Sequence, residues 1–132
     1  PHGRLSTAIC FDMDFPSFIR RAGRQDVDIM LVPAFDWEQI KDFHTQVGLM
    51  RGIENGFSVV RQVNEGTSMA VDYRGRVVAS QNFFTTANRV MLADVPTRGA
   101  RTVYTALGDW PAYGAIAIAL GAVVWVVAGH RR

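Results

Sequence analysis

The chain has 132 residues, of which 48% are hydrophobic and 20% charged, and its 14 Lys and Arg residues nearly balance 12 Asp and Glu residues. This composition excludes a disordered acidic or basic tail, and the single cysteine excludes a disulfide scaffold. The net charge is only +2 and the basic residues are scattered, which argues against nucleic-acid binding.

Strands and helices are predicted to alternate along the first part of the chain. The predicted elements are, in chain order, a strand over 4–9, a helix over 15–22, a strand over 26–32, a helix over 37–54, and strands over 57–62, 68–72, 77–80 and 90–95. Gly23 stops the first helix, Pro33 ends the second strand, and Gly56 closes the longer helix. This order predicts a layered α/β domain with helices packed on a sheet.

The segment from Trp110 to Gly129 contains no charged residue. A helix of about 20 residues crosses the hydrocarbon core of a bilayer, and the rings of Trp110 and Tyr113 suit a membrane interface. We therefore expect a transmembrane helix, with a buried helix of a soluble core as the alternative. The basic tail at 130–132 predicts a cytoplasmic C-terminus, with residues 1–109 on the opposite face of the membrane.

Cys10 lies directly after the first predicted strand and just before the first helix. Backbone N–H groups converge at such a turn, which favours a thiolate and provides donors for an oxyanion. A buried structural cysteine is the alternative. No local Cys-His signature accompanies it, because His2 and His44 are the only histidines outside the C-terminal tail.

Five sequence blocks occur in a fixed order across residues 9–80. They are Ile9-Cys10-Phe11-Asp12 with Phe15-Pro16, Leu31 to Trp37, His44 with Arg51 to Gly56, Val60 to Ser68, and Asp72 to Val77. Together they resemble the C-terminal half of a nitrilase-superfamily (carbon-nitrogen hydrolase) domain. The transition Gly108-Asp109-Trp110-Pro111 into the apolar segment is similar to the end of the membrane-bound N-acyltransferases of that superfamily.

The resemblance implies an α/β fold: the C-terminal half of a nitrilase-like four-layer α-β-β-α sandwich, followed by one transmembrane helix. Catalysis in the family uses a Glu general base, a Lys and a Cys nucleophile. Cys10 matches the nucleophile, and the N–H of Phe11 would then be a backbone oxyanion donor. Asp12 lies where acyltransferase relatives usually carry Glu. We expect it to be either a carboxylate that supports the nucleophile or a helix N-terminal acid.

The Glu and the Lys of the family lie upstream of the Cys. Only nine residues precede Cys10, none of them is Glu or Lys, and the one lysine of the chain, Lys41, lies in the later helix. We therefore expect residues 1–109 to be a partial carbon-nitrogen hydrolase domain, 110–129 a transmembrane helix and 130–132 a basic tail. Such a fragment is expected to be inactive alone.

Three residues at the end of the second strand, Phe35, Asp36 and Trp37, are expected on the substrate side, because pockets in α/β folds lie at strand ends. His44 is expected to be structural, or to hold its helix against the active-site loops, rather than to bind a metal. We expect neither a metal nor a cofactor.

Two further patterns predict local structure. Arg51 and Glu54 are spaced i, i+3 on a helix and are expected to pair. Asn64 to Gly66 predicts a loop that brings backbone near Cys10, with Gly66 present for its conformational freedom.

The resemblance implies a membrane-bound acyltransferase of lipoprotein biosynthesis in the bacterial inner membrane, with its catalytic domain extracytoplasmic. Its cysteine would take an acyl chain from a phospholipid as a thioester and pass it to the N-terminal cysteine of a lipoprotein. Two alternatives stay open: a membrane-tethered nitrilase-type amidase that hydrolyses small amides or nitriles, and a non-catalytic pseudoenzyme. The expected partners are the phospholipid, the lipoprotein and the membrane, without nucleic acid.

Overall fold

One mixed sheet of five strands organises the chain, and its strand order follows the sequence. The computed structural model describes residues 2–129. The elements are β1 (Leu5–Thr7), a 3-10 turn (Cys10–Asp14), α1 (Pro16–Arg24), β2 (Ile29–Phe35), α2 (Lys41–Asn55), β3 (Ser58–Asn64), β4 (Thr67–Val71), β5 (Val77–Asn82), α3 (Val103–Leu107) and α4 (Trp110–Gly129). β1, β2 and β3 are parallel to one another. β4 is antiparallel to β3, and β5 is antiparallel to β4.

The core lies on the helix-covered face of the sheet. Its largest fully buried apolar side chains are those of Met13, Ile19, Met30, Val32, Phe57, Val59 and Val71. Alternate strand residues point to the opposite face, where Leu5, Leu31 and Phe35 are exposed. The chain therefore forms one helical layer and one sheet layer. The predicted α/β fold with one apolar C-terminal helix is confirmed.

Local signals located most elements correctly, but the prediction that Pro33 ends the second strand is wrong. The strand continues through Pro33 to Phe35 and pairs with β3 over this whole length. The Leu31 carbonyl accepts from Ala8 on the β1 side, so the proline nitrogen two residues later faces that side too. The last paired residue of β1 is Thr7. Proline is tolerated here because its missing N–H faces an edge without a partner.

The predicted strand over 90–95 is also wrong. These residues lie in an irregular connection from β5 to α3, and Val90 and Leu92 are exposed by 66% and 88%. The connection is held instead by Asp28, whose carboxylate accepts from the backbone N–H of Gly99 at 2.7 Å and of Arg4 at 2.7 Å. The bond from Gly99 and, to a smaller extent, the bond from Arg4 hold the pKa of Asp28 below its usual value.

A short link joins the α/β part to the apolar helix. Arg20 of α1 donates from Nε to the Tyr104 and Thr105 carbonyls at 3.1 Å, and from Nη2 to the Ala106 carbonyl at 2.8 Å. This guanidinium satisfies the free carbonyls at the end of α3. Only Gly108 and Asp109 separate α3 from α4.

α4 is the one helix within residues 2–129 that is long and apolar enough to cross a membrane. It has 20 residues, a mean hydropathy of 2.1 in its most apolar window, and no buried side chain. The predicted basic tail at 130–132 lies outside the described residues. The membrane orientation that this tail predicts therefore stays a prediction.

Candidate active site

Cys10 lies at the free end of β1, where the neighbouring strand β2 extends further. Its Sγ is 3.4 Å from the carbonyl oxygen of Phe35 and donates to it. Phe35 lies four residues after Leu31 on the same strand, so its carbonyl points to the same side of β2 as the Leu31 carbonyl. On that side β1 has already ended, at Thr7. The end of one strand therefore leaves a backbone acceptor for the thiol that follows it.

The backbone of Cys10 is in the left-handed region, with φ of 46°. A non-glycine residue rarely adopts this conformation, which costs about 1–3 kcal/mol and persists only where surrounding contacts hold it. Cys10 begins the 3-10 turn that ends at Asp14, and this segment is called the Cys10 turn below. Its thiol is partly exposed.

Contacts at both ends of the Cys10 turn hold it in place. Asp12 Oδ2 accepts from the Ile9 N–H at 2.9 Å, so its carboxylate satisfies the start of the turn. At the other end, Arg51 Nε donates to the Met13 carbonyl at 3.0 Å. The same guanidinium pairs with Glu54, as the i, i+3 spacing predicts. In this geometry Asp12 acts as the helix N-terminal acid, and its support of a nucleophile stays a prediction.

A buried ion pair lies behind the thiol, at the end of β2. The Asp36 carboxylate is fully buried and accepts two hydrogen bonds from Arg61, at 3.0 and 3.1 Å. Arg61 also donates to the hydroxyl of buried Thr45 at 3.3 Å. A bidentate pair of this kind combines charge attraction with fixed geometry. It ties β2, β3 and α2 together at one point.

His44 lies between two carboxylates. Its Nδ1 is 3.0 Å from Asp36 Oδ1, and its Nε2 is 3.8 Å from Asp14 Oδ2. The ring therefore links the buried pair to the end of the Cys10 turn. Within residues 2–129, no group of three or more His, Cys, Asp or Glu side chains is arranged to hold a metal ion.

Exposed aromatic rings surround His44 and form an apolar rim beside Cys10. Phe11 packs edge-on against Phe15 with ring centroids 5.4 Å apart. Phe43 and Trp37 lie 5.9 and 6.4 Å from the His44 ring. We call these four residues, Phe11, Phe15, Trp37 and Phe43, the aromatic rim; each is at least half exposed.

The turn between β3 and β4 closes over Asp36, but the reason predicted for Gly66 is wrong. Glu65, not Gly66, carries the left-handed backbone, with φ of 55°. A Cβ on Gly66 would lie 2.5 Å from Val63 Cγ1 and 3.0 Å from Asp36 Oδ2. Glycine is therefore required here for space.

The structure brings most of the predicted site residues together at the end of β2. Cys10, Phe35 and Asp36 are adjacent through the thiol and the backbone, and Phe11 and Trp37 lie on the rim. Asp36 points inward to Arg61 and His44, whereas Phe35 and Trp37 are exposed. Contact of Phe35, Asp36 and Trp37 with a substrate stays a prediction.

Sequence reasoning missed Arg61 and Thr45. Arg61 occupies an inward position of β3, between buried Val59 and Val63. A charged residue at a buried strand position requires a partner, and this alternation was the signal for a buried ion pair. The partner, Asp36, could not be assigned from spacing because it directly follows a different strand, β2.

The fold places the chain among nitrilase-superfamily structures. Saccharomyces cerevisiae Nit3, a member of branch 10 of the nitrilase superfamily, is 25% identical with a TM-score of 0.55, over 59% of this chain and 33% of that chain. An amidase from Nesterenkonia sp. has the same fold at 23% identity and a TM-score of 0.55, over 61% of this chain and 35% of its own.

The carbon-nitrogen hydrolase family model matches residues 1–104, and the chain belongs to this family. Among curated relatives, the apolipoprotein N-acyltransferase of Vibrio vulnificus (strain CMCP6) is 32% identical over 126 residues. The match covers 92% of this chain and 24% of the relative. The chain thus spans about a quarter of the length of the curated relatives it matches.

Proposed function

We propose that this chain is the C-terminal part of a membrane-bound N-acyltransferase, with Cys10 as its nucleophile. The observation that carries the proposal is the extent of the match to apolipoprotein N-acyltransferase. It covers 92% of this chain and so has to continue beyond the α/β part into the apolar helix. The matches to Nit3 and to the amidase cover only 59% and 61%.

The proposed reaction has two half-reactions at the Cys10 sulfur. The general base takes the proton of the Cys10 thiol, and the thiolate attacks the ester carbonyl of a phospholipid. A carbon–sulfur bond forms, the ester carbon–oxygen bond breaks, and the lysophospholipid leaves with the proton that the base returns. The α-amino group of a lipoprotein's N-terminal cysteine then attacks the thioester. An amide forms, the amine loses its proton, and the thiolate is released.

The local structure around Cys10 suits this chemistry. The Phe11 N–H follows the thiol in the Cys10 turn, and a backbone N–H beside the nucleophile is the kind of donor that stabilises a developing oxyanion. In this proposal, the Glu general base and the catalytic Lys that the resemblance implies belong to the part of the full-length protein that lies upstream of this chain. Lys41 is not assigned that role, because it lies in α2, downstream of Cys10, whereas the lysine of the resemblance lies upstream of the cysteine.

The surface beside Cys10 favours a lipid substrate over a small soluble amide. The aromatic rim offers exposed apolar rings and includes Phe11, the residue after Cys10. Only two residues separate α3 from α4. Both features suit a reaction whose substrates reside in a bilayer. We place the catalytic domain on the extracytoplasmic face of the bacterial inner membrane, with a cytoplasmic C-terminus.

The test uses the full-length protein in vesicles that contain a phospholipid with a labelled acyl chain. The expected result is a hydroxylamine-sensitive acyl adduct that Cys10→Ala abolishes and that His2→Asn, a substitution of an exposed residue, leaves intact. Ammonia release from small amides without lipid would replace the proposal with the amidase reading. If neither reaction occurs, the protein is non-catalytic.

A further inference from the structure

Four polar side chains form a row from the interior to the Cys10 turn, in the order Arg61, Asp36, His44 and Asp14. We infer that His44 is a positioning residue: it holds the Cys10 turn in register with the end of β2 through Asp14. This inference rests on the proposed role of Cys10 as the nucleophile.

The inner end of the row is rigid. Asp36 is fully buried and held by two hydrogen bonds from Arg61. A carboxylate can only accept, so His44 Nδ1 at 3.0 Å must carry the hydrogen. The next residue, Thr45, is buried with its hydroxyl 2.7 Å from the Lys41 carbonyl and 2.9 Å from the Thr67 carbonyl. Both the ring orientation and the helix segment that bears it are therefore fixed.

The outer end of the row reaches the Cys10 turn. His44 Nε2 lies 3.8 Å from Asp14 Oδ2, which is beyond hydrogen-bond length, so this contact is an ion pair that forms when both ring nitrogens carry hydrogen. The two side chains are 15% and 23% exposed. Asp14 is the last residue of the turn and Cys10 is the first. The first residue contacts the Phe35 carbonyl directly, and the last is linked through His44 to Asp36. Two adjacent residues of β2 and its extension therefore hold both ends of the turn.

The turn needs such external contacts. Cys10 has a φ of 46°, which non-glycine residues adopt only under constraint. Arg61 and Asp36 neutralise each other, so Asp14 is the carboxylate that remains for the outer edge of the imidazole. A substitution of His44 that removes the Nε2 contact and keeps the Nδ1 donor should loosen the Asp14 end of the turn, where the Arg51 bond to the Met13 carbonyl remains, and should leave the buried pair intact.

His44→Asn makes this change, because the amide nitrogen of asparagine replaces Nδ1 and nothing replaces Nε2. In the full-length protein, we expect the rate of thioester formation from labelled phospholipid to fall by about 10- to 100-fold, since small displacements of reacting groups cost this much. The KM for phospholipid should change by less than about twofold. His44→Gln, whose longer amide extends toward the Nε2 position, should restore part of the rate.

A double-mutant cycle tests whether His44 acts through Asp14. Asp14→Asn alone should slow acylation to a similar extent. The double variant should be no more than about twofold slower than the slower single variant, because both substitutions remove the same link. Multiplicative effects of the two substitutions would overturn the inference, as would a His44→Asn rate equal to that of the matched control His2→Asn.

A second readout does not depend on the acylation chemistry. Alkylation of Cys10 by iodoacetamide, followed by mass spectrometry of its peptide, should be at least about threefold faster in His44→Asn and Asp14→Asn, because a released turn exposes the thiol. Thermal unfolding measured in parallel should match that of His2→Asn. If the wild type forms no thioester, the proposed function fails, and the alkylation rates still decide the positioning role: rates equal to the control refute it.

Discussion

Breaking the buried Asp36–Arg61 pair should destabilise the domain far more than breaking an exposed pair. Arg61→Met keeps the aliphatic bulk but removes both guanidinium bonds to a carboxylate that is fully buried. Removing one partner of a buried ion pair costs about 3–5 kcal/mol, because the other charge is left uncompensated. With a denaturant dependence of about 2 kcal/mol per molar, the urea midpoint should fall by about 2 M.

Arg76→Met is the matched control. Arg76 pairs with Asp72 at 2.8 Å, but its side chain is 73% exposed. Asp72 keeps the backbone N–H bonds of residues 74 and 76, both at 2.9 Å, after the substitution. The Asp72 side chain is only 4% exposed, but it keeps these backbone bonds and loses only an exposed guanidinium, so the cost should be about 0–1 kcal/mol and the midpoint should fall by less than about 0.5 M.

Pulse proteolysis of the full-length protein across a urea series measures both midpoints on the domain that contains the pair. The double variant Asp36→Asn with Arg61→Met should recover part of the loss, because it leaves no buried charge. Equal midpoint shifts for Arg61→Met and Arg76→Met would refute the assignment of a buried, energetically important pair.

Three further predictions concern the turn over Asp36, the connection to α3 and the apolar helix. Gly66→Ala should cost about 1–3 kcal/mol of stability and so lower the urea midpoint by about 0.5–1.5 M, because its Cβ would lie 2.5 Å from Val63 Cγ1; an unchanged midpoint would contradict this steric account. Because the pKa of Asp28 is lower in the folded state than in the unfolded state, its contribution to stability is present above its usual value and lost as pH falls through the folded value. Asp28→Asn should therefore weaken the loss of stability on acidification below about pH 4, as followed by unfolding titrations at several pH values. Leu120→Arg, near the middle of α4, should reduce retention in the membrane fraction, because a central arginine costs about 2.5–3.5 kcal/mol; full retention would argue against a spanning helix.

Local patterns predicted the elements whose ends are set by their own residues. α2 ends where Gly56 adopts φ of 72°, and α4 covers the same 20 residues as the uncharged segment. The prediction errors arose where pairing with another strand determines whether a segment is a strand. Pro33 could stay in β2 only because β1 ends at Thr7, and the apolar residues near Val90 found no strand to pair with.

The candidate site was predicted in part for the same reason. Cys10 and Asp36 were identified from their places after strands, and the structure brings both to the end of β2. The bond between Asp36 and Arg61 joins residues 25 apart in sequence. Pairing of β2 with β3 creates that contact, so no local spacing rule could reveal it.

The two-residue connection after α3 limits how far the surface around Cys10 can move away from α4. Arg20 anchors the carbonyls of α3 to the domain, and only Gly108 and Asp109 then lead into α4. So few residues span at most about 10 Å when extended. With α4 in a bilayer, the domain is tethered close to the headgroups and cannot capture substrates from distant solution. Under the proposed function, its encounters with lipid and lipoprotein would become a two-dimensional search, whose rate depends on their surface density rather than on their bulk concentrations.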